Sequence, residues 1–252
     1  TKGKVYWLKV YEVPIASRTS KGRPLVNMLN LDDDEKVSDI LPVSEFSEDR
    51  YVFMATKKGI TKKTNLSLFA RKWKSGIKAI KLDNDDELIG SAITNGNDEI
   101  LLASSAGKLI RFSEKKVRSL GRNTRGVTGM HMKKGHQVIS LMVADEEKEI
   151  LCVCENGFGK RTSIDSFRTQ NRGGQGVISI KTSERNGNMV ASTLVDNNDG
   201  IMLISDKGTM IRTSADQIPS ISRNTQGVKI ITPKEGEKIL ECVRIDPEED
   251  EE

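Results

Sequence analysis

Two glycines recur five times along this 252-residue chain at a nearly constant separation, and that recurrence limits the fold more than any single motif. The first glycine of each pair is Gly3, Gly59, Gly107, Gly157 or Gly208, and the second is Gly22, Gly76, Gly126, Gly176 or Gly227, with separations of 19, 17, 19, 19 and 19 residues. Around them every segment follows one plan: an apolar strand, a turn holding the first glycine, a short polar and basic strand, a basic loop, the second glycine, an apolar strand, a charged turn and another apolar strand. The opening strand reads YVFMAT, EILLAS, EILCVC and GIMLIS in the later four repeats, whereas the first repeat begins at its turn. Both glycines call for positive φ or close backbone approach. Repeats of about 50 residues, each with four short strands, predict an all-β, propeller-like ring of four-stranded blades, because radial repetition leaves only short edges exposed. The repeats run about 1–50, 51–98, 99–148, 149–199 and 200–245, and the stretches KVRSL and SIDSF are expected to be single turns at most.

Composition narrows the function. Hydrophobic residues at 36% suffice for a core, but aromatics at 4% beside 30% charged residues point to a thin core under a large working surface rather than a deep catalytic pocket. No apolar run approaches the roughly 20 residues of a membrane span, and the TKGKVYWLKV start has neither signal-peptide character nor an initiator methionine. The chain is therefore expected to be cytosolic and cut from a longer one. Cys152 and Cys154 stand two apart in EILCVCENG, facing one side of a strand, and read as reduced core residues; a zinc site would need a second cysteine pair or spaced histidines. His131 and His136 flank a KKG turn and read as a solvated strand end.

Charge follows the same register. Four positions before the second glycine stand Arg18, Lys72, Arg122, Arg172 and Arg223, and four positions after the first come Lys63, Arg111, Arg161 and Arg212, with Trp7 in the first repeat. Lys21, Arg23, Arg71, Lys74, Arg125, Lys160 and Arg168 crowd the same loops, while acid gathers in turns such as LDDDEKV and LDNDDEL. A ring that repeats one basic corner per blade makes a positive stripe that a curved polyanion such as duplex DNA can follow. Arginine offers a planar fork for phosphate, and the adjacent glycines let backbone N–H groups reach the same oxygens, so RNTRGV, RNTQGV and NRGGQGV are candidate phosphate clamps. Such contacts place DNA without reading its sequence, and selectivity is expected from bendability.

The GKVYWLKVYEVP opening, the RNTRGV and RNTQGV corners, NGFGKRT, GVISIK with SERNG and the acidic tail together resemble the C-terminal domains of DNA gyrase A subunits, part of a type IIA topoisomerase, over essentially the whole chain. The resemblance implies a six-bladed β-pinwheel, of which five repeats are visible here, wrapping DNA on a basic rim so that the whole enzyme, driven by ATP, introduces negative supercoils. It implies a bacterial, cytoplasmic and nucleoid-associated setting. The implied partners are the remainder of the gyrase A subunit, together with the gyrase B subunit, in an A2B2 enzyme. The domain alone is expected to be monomeric, off the membrane, non-catalytic and without a cofactor, ATP and Mg2+ acting elsewhere in the enzyme. The reactive tyrosine of that family lies in another domain, so Tyr6, Tyr11 and Tyr51 read as strand residues. The family's signature box has its closest match at Gln170–Gly176, QNRGGQG, where Asn171 and Gln175 replace basic residues; Gln170, Arg172, Gly173 and Gly174 are accordingly taken as a sister corner, with the intact box expected upstream of Thr1. Within the family the alternative is the corresponding C-terminal domain of topoisomerase IV, and outside it a propeller serving as a protein-interaction scaffold.

The chain ends in RIDPEEDEE. Residues 246–252 hold six acids, and setting them aside leaves 40 basic against 30 acidic residues, so the body carries about +10 rather than the +4 of the whole. Such a block is expected to stay solvated and to compete with DNA for the basic corners.

Overall fold

A computed structural model describes residues 1–16, 20–32 and 34–245. Arg18, Asp33 of the LDDDEKV turn and the acidic tail from Asp246 onward therefore lie outside the described residues. The first repeat contributes β1 (Lys4–Val5), and the second β2 (Tyr51–Thr56), β3 (Ile60–Asn65), β4 (Ile77–Lys78) and β5 (Leu88–Thr94). The third contributes β6 (Glu99–Ser104), β7 (Lys108–Ser113), β8 (Val127–Thr128) and β9 (Val138–Val143); the fourth β10 (Glu149–Cys154), β11 (Phe158–Ser163), β12 (Val177–Ile178) and β13 (Met189–Val195). The fifth supplies β14 (Gly200–Ser205), β15 (Met210–Ser214), β16 (Val228–Lys229) and β17 (Ile239–Ile245). Single 3-10 turns follow the second strand of each later repeat, at Leu66–Phe69, Glu114–Lys116, Ile164–Ser166 and Ala215–Gln217, and the described residues hold no α-helix.

Sheets and repeats are out of step. Three strands of a repeat form one antiparallel sheet, while its short strand crosses to the sheet before it: the orders are β5-β2-β3-β8, β9-β6-β7-β12 and β13-β10-β11-β16. In the same way β4 pairs with β1, Val5 opposite Ile77. The second glycine makes this crossing possible. A Cβ on Gly126, at φ +99°, would stand 2.4 Å from the carbonyl oxygen of Thr61 in β3, the strand that β8 joins. Any side chain there would hold the incoming strand off.

Successive long strands β5, β9, β13 and β17 lie against one another and form the hub, with the Ser192 amide of β13 donating to Ser140 Oγ of β9 at 3.1 Å. The crossing strands lie at the opposite edge of each sheet, the rim. Between sheets lie the cores. Ile100 and Leu102 of β6 face Phe53 and Ala55 of β2, while Leu101 and Ala103 of the same strand face Ile150 and Cys152 of β10. Both faces of the leading strand are thus dry, which is why it reads as an unbroken apolar run rather than an alternation. Cys152 and Cys154 are buried free thiols in one of these cores, on one side of β10 as the sequence implies.

The two ends differ from the middle. Among the described residues the sheet β15-β14-β17 has no fourth strand, and Met210 and Ile211 of its outer strand are exposed. At the other end β1 and β4 form a two-stranded sheet beside exposed Val10, Ile15 and Val26. Gly22 and Gly208, one repeat glycine from each end repeat, have no described atom within 4 Å of a Cβ position, unlike their interior counterparts.

Candidate nucleic-acid interface

Each basic corner immediately precedes a crossing strand, so the described corners sit on the rim, one on each of the four sheets that receives such a strand. Arg122, Arg172 and Arg223 are half-buried and Lys72 is exposed. Two of them tie the rim together. Arg172 Nη1 donates at 3.0 Å to the carbonyl of Thr128, which ends the crossing strand of the previous corner, and its Nε donates at 2.9 Å to the Lys116 carbonyl. Arg223 Nη1 reaches the equivalent carbonyl, Ile178, at 3.4 Å. Both guanidiniums therefore lie along the rim from one corner to the one before. Lys72 rests over the Phe46 ring instead. Lys21, Arg23 and Lys74 are exposed around the first two corners, and Arg71 stacks on Trp73.

The second basic series does not belong to this surface. Lys63, Arg111 and Arg161 are turned inward and bolt each sheet to the next. Lys63 Nζ lies 3.4 Å from the buried Glu114 carboxylate and donates to the Glu114 carbonyl at 3.1 Å. Arg111 is paired with Glu99 and Glu146 and reaches the Ile164 carbonyl at 3.5 Å. Arg161 pairs with Glu149 at 3.0 Å and donates through Nε to the Ile218 carbonyl at 2.7 Å. Glu114, Ile164 and Ile218 stand at or beside the 3-10 turn of the following repeat, so one residue type serves each junction. The expectation that these three contact phosphate is corrected: both faces of the second strand are covered, and a side chain four past the glycine meets the neighbouring blade. Arg212, the fourth member, is exposed because no further described blade covers β15.

The Gln170–Gly176 corner is also reassigned in part. The Gly173 amide donates to the Gly129 carbonyl at 2.6 Å and the Gly174 carbonyl accepts from the His131 amide, so this glycine pair joins two corners rather than presenting the Gly173 N–H to a ligand. Gln170 holds its amide through the Arg111 carbonyl, and its Nε2 is buried without a partner. Acidic turns are not segregated from the rim either. Asp83 of LDNDDEL takes a two-pronged contact from Arg125, with Nε to Oδ1 at 2.7 Å and Nη2 to Oδ2 at 2.6 Å. That hydrogen bond holds the Asp83 carboxyl below its usual range and raises Arg125. Asp32 pairs likewise with Lys4.

Three lysines hold the corners in ways that their sequence context conceals. Lys116 Nζ donates to the Gln170 carbonyl and to Asn171 Oδ1 at 2.6 Å, bracing that corner. Lys62 and Lys160, three past the first glycine of their repeats, are completely buried beneath the Arg122 and Arg223 corners. Lys62 Nζ donates to the Ala79 carbonyl at 2.6 Å and to the Arg122 carbonyl; Lys160 Nζ donates to the Ser222 carbonyl at 2.6 Å. Desolvation, with the like charge of Arg122 second, lowers Lys62 to about 8, and desolvation does the same to Lys160. The repeat alignment marks their position, where the other repeats carry Tyr6, Ile110 and Ile211.

A ring of antiparallel sheets with strands exchanged between neighbours, and one basic corner where each exchanged strand enters, defines a propeller of the β-pinwheel class. The chain belongs to the DNA gyrase C-terminal domain family of β-propellers, whose repeat model matches residues 1–44, 50–95, 98–145, 148–195 and 201–246. It is 47% identical over 253 residues to the DNA gyrase A subunit of Salmonella typhimurium, covering 100% of this chain and 29% of that protein. Against the DNA gyrase A subunit of Pseudomonas aeruginosa it is 42% identical over 288 residues, 97% of this chain and 31% of the relative. The chain thus spans about a third of the length of the curated relatives it matches. Among solved structures, a gyrase A C-terminal domain superposes with a TM-score of 0.82 at 25% identity over 97% of this chain and 80% of that one. The C-terminal domain of a DNA topoisomerase IV gives 0.88 at 23% identity, covering 96% of this chain and 76% of that one, a likeness of fold.

Proposed function

We propose that the chain binds duplex DNA along its rim and wraps it, without reading its sequence. The observation that carries this reading is the rim itself: Lys72, Arg122, Arg172 and Arg223 recur at one place in successive sheets, and two of the guanidiniums are laid from corner to corner by hydrogen bonds to Thr128 and Ile178. A positive track built this way has its charges held in position before DNA arrives, so little side-chain ordering is left for binding. Exposed Lys21, Arg23, Lys74 and Arg125 widen the track. In the whole enzyme such a wrap presents a crossover of fixed sense to strand passage. The remainder of the gyrase A subunit, together with the gyrase B subunit, ATP and Mg2+, would carry out that passage in a bacterial cytoplasm at the nucleoid. The domain itself supplies DNA geometry and no bond-breaking step.

Salt titration tests the reading. Counterion release lowers log affinity by about 0.9 per neutralised phosphate for each unit of log salt, so several contacts cost on the order of a thousandfold between low and moderate salt. Changing Arg122, Arg172 and Arg223 together to alanine is expected to flatten that slope by about two to three contacts and to reduce DNA bending in a gel-phasing assay. Binding that ignores salt, or an unchanged slope in a folded triple variant, defeats the proposal.

A further inference from the structure

We infer that Lys62 and Lys160 are positioning residues for DNA: buried ammonium groups that hold two of the rim corners from below and add their charge to the field those corners present. The inference rests on the DNA reading above and deepens it, because it makes the rim uneven.

The geometry is the same at both sites. Each lysine is fully buried, and each points its Nζ at a carbonyl of the corner above it, that of Arg122 for Lys62 and that of Ser222 for Lys160; Lys62 also donates to the Ala79 carbonyl, just past β4. A carbonyl turned inward in this way leaves the rest of the corner facing out. Neither lysine has a carboxylate partner among the ion pairs of the described residues, whereas the inward-facing Lys63, Arg111 and Arg161 all do. A buried, unneutralised cation is costly, and the fold does not need one there: Ile110 occupies the equivalent place beneath the Gln170–Gly176 corner, and Tyr6 lies beneath the Lys72 corner against Gly76. Two corners therefore sit on a cation and two do not. A phosphate bound at the first kind gains attraction through low-dielectric protein rather than through water.

These two charges are also poised to respond to pH. Lys62 faces Met54 across the sheet and the like charge of Arg122; Lys160 faces Cys152, with Cys154 and Arg223 nearby. Both thiols are pushed upward by burial and stay neutral in the range concerned. With both lysines lowered to about 8, the ammonium form dominates at neutral pH and is lost as pH rises through 8 to 9. A phosphate above favours the charged form, so DNA binding near pH 8.5 draws protons from solution.

Calorimetric titration of the whole chain with a short DNA duplex, near pH 8.5 in two buffers of different ionisation enthalpy, reads this directly. Uptake of about a quarter to half a proton per complex is expected, with affinity falling several-fold between about pH 7 and 9. The double variant Lys62→Met with Lys160→Met takes up fewer protons, binds roughly threefold to tenfold more weakly at pH 7, and converges on the unmodified chain at pH 9. Salt-sensitive binding with no proton uptake by the unmodified chain overturns the inference whether or not the variant folds. So does a folded variant that matches the unmodified chain at pH 7. Absence of salt-sensitive binding is a different outcome, which removes the DNA reading and the inference with it.

Discussion

Two series of basic residues run through this molecule with one period and opposite fates. Lys63, Arg111 and Arg161 are inside, each bonded to a carbonyl of the next repeat and to a carboxylate. Lys72, Arg122, Arg172 and Arg223 are on the rim, half-buried or exposed, and the carbonyls that Arg172 and Arg223 reach leave part of each of those cations facing outward. The inner series joins blade to blade through the sheet faces, and in the outer series Arg172 and Arg223 join corner to corner along the edge. Recurrence in register is thus a signature of the repeat, and a repeated arginine serves the fold as readily as a ligand.

The sharpest test of that division is Arg161→Met. It leaves the Ile218 carbonyl without its partner and half-buried Glu149 with Ser220 alone, and an acceptor stripped of its partner in this way costs about 1–3 kcal/mol. Urea unfolding is expected to show that loss, while the salt slope of DNA binding by the folded fraction stays as it was. A stable Arg161→Met chain with weakened DNA binding would erase the distinction between the two series.

Asp83→Asn probes the outer series from the other direction. The Asp83 carboxylate occupies the Arg125 fork, both groups being open to solvent, and such exposed pairs contribute little to folding. Stability should barely move, while release of Arg125 is expected to tighten DNA binding by roughly twofold to fivefold at low salt, as measured by fluorescence anisotropy. Weaker binding would place Arg125 among the inner, structural arginines.

The smallest effect belongs to the acidic tail. Ending the chain at Ile245 is expected to tighten binding slightly, most at low salt, with the difference fading as the screening length falls to about 10 Å near 0.1 M. Identical binding curves at low salt would leave the tail without a part in the competition for the rim.

Much of the fold was legible because glycine spacing and apolar runs carry it directly. The four opening strands, the turn after each and the closing strand fall where YVFMAT, EILLAS, EILCVC and GIMLIS and their glycines place them. The corners were legible too, since RNTRGV and RNTQGV stand out against their surroundings. Less was visible at Lys63, Arg111, Arg161 and Lys160. Their strand is polar and basic in composition, as a solvated strand would be, yet it lies between two blades. Alternation along a strand separates inside from outside only when one face is wet, and here neither is. Asp83 and Arg125, 42 residues apart, meet only because the crossing strand carries the second corner back to the previous sheet.

The chain by itself determined the repeat, its β character and the one basic position per corner, because those depend on residue type and spacing. Tertiary structure decided which sheet each short strand joins, and with it which cations turn inward to bolt the blades, which lie along the rim and which, like Lys62 and Lys160, are sealed beneath a corner. Pairing between neighbouring repeats is a non-local choice made by backbone approach at Gly126, Gly176 and Gly227, where a Cβ would lie 2.4, 2.4 and 2.7 Å from the preceding sheet. A period of about 50 residues is the same whether that short strand stays at home or crosses; only the packed chain distinguishes the two.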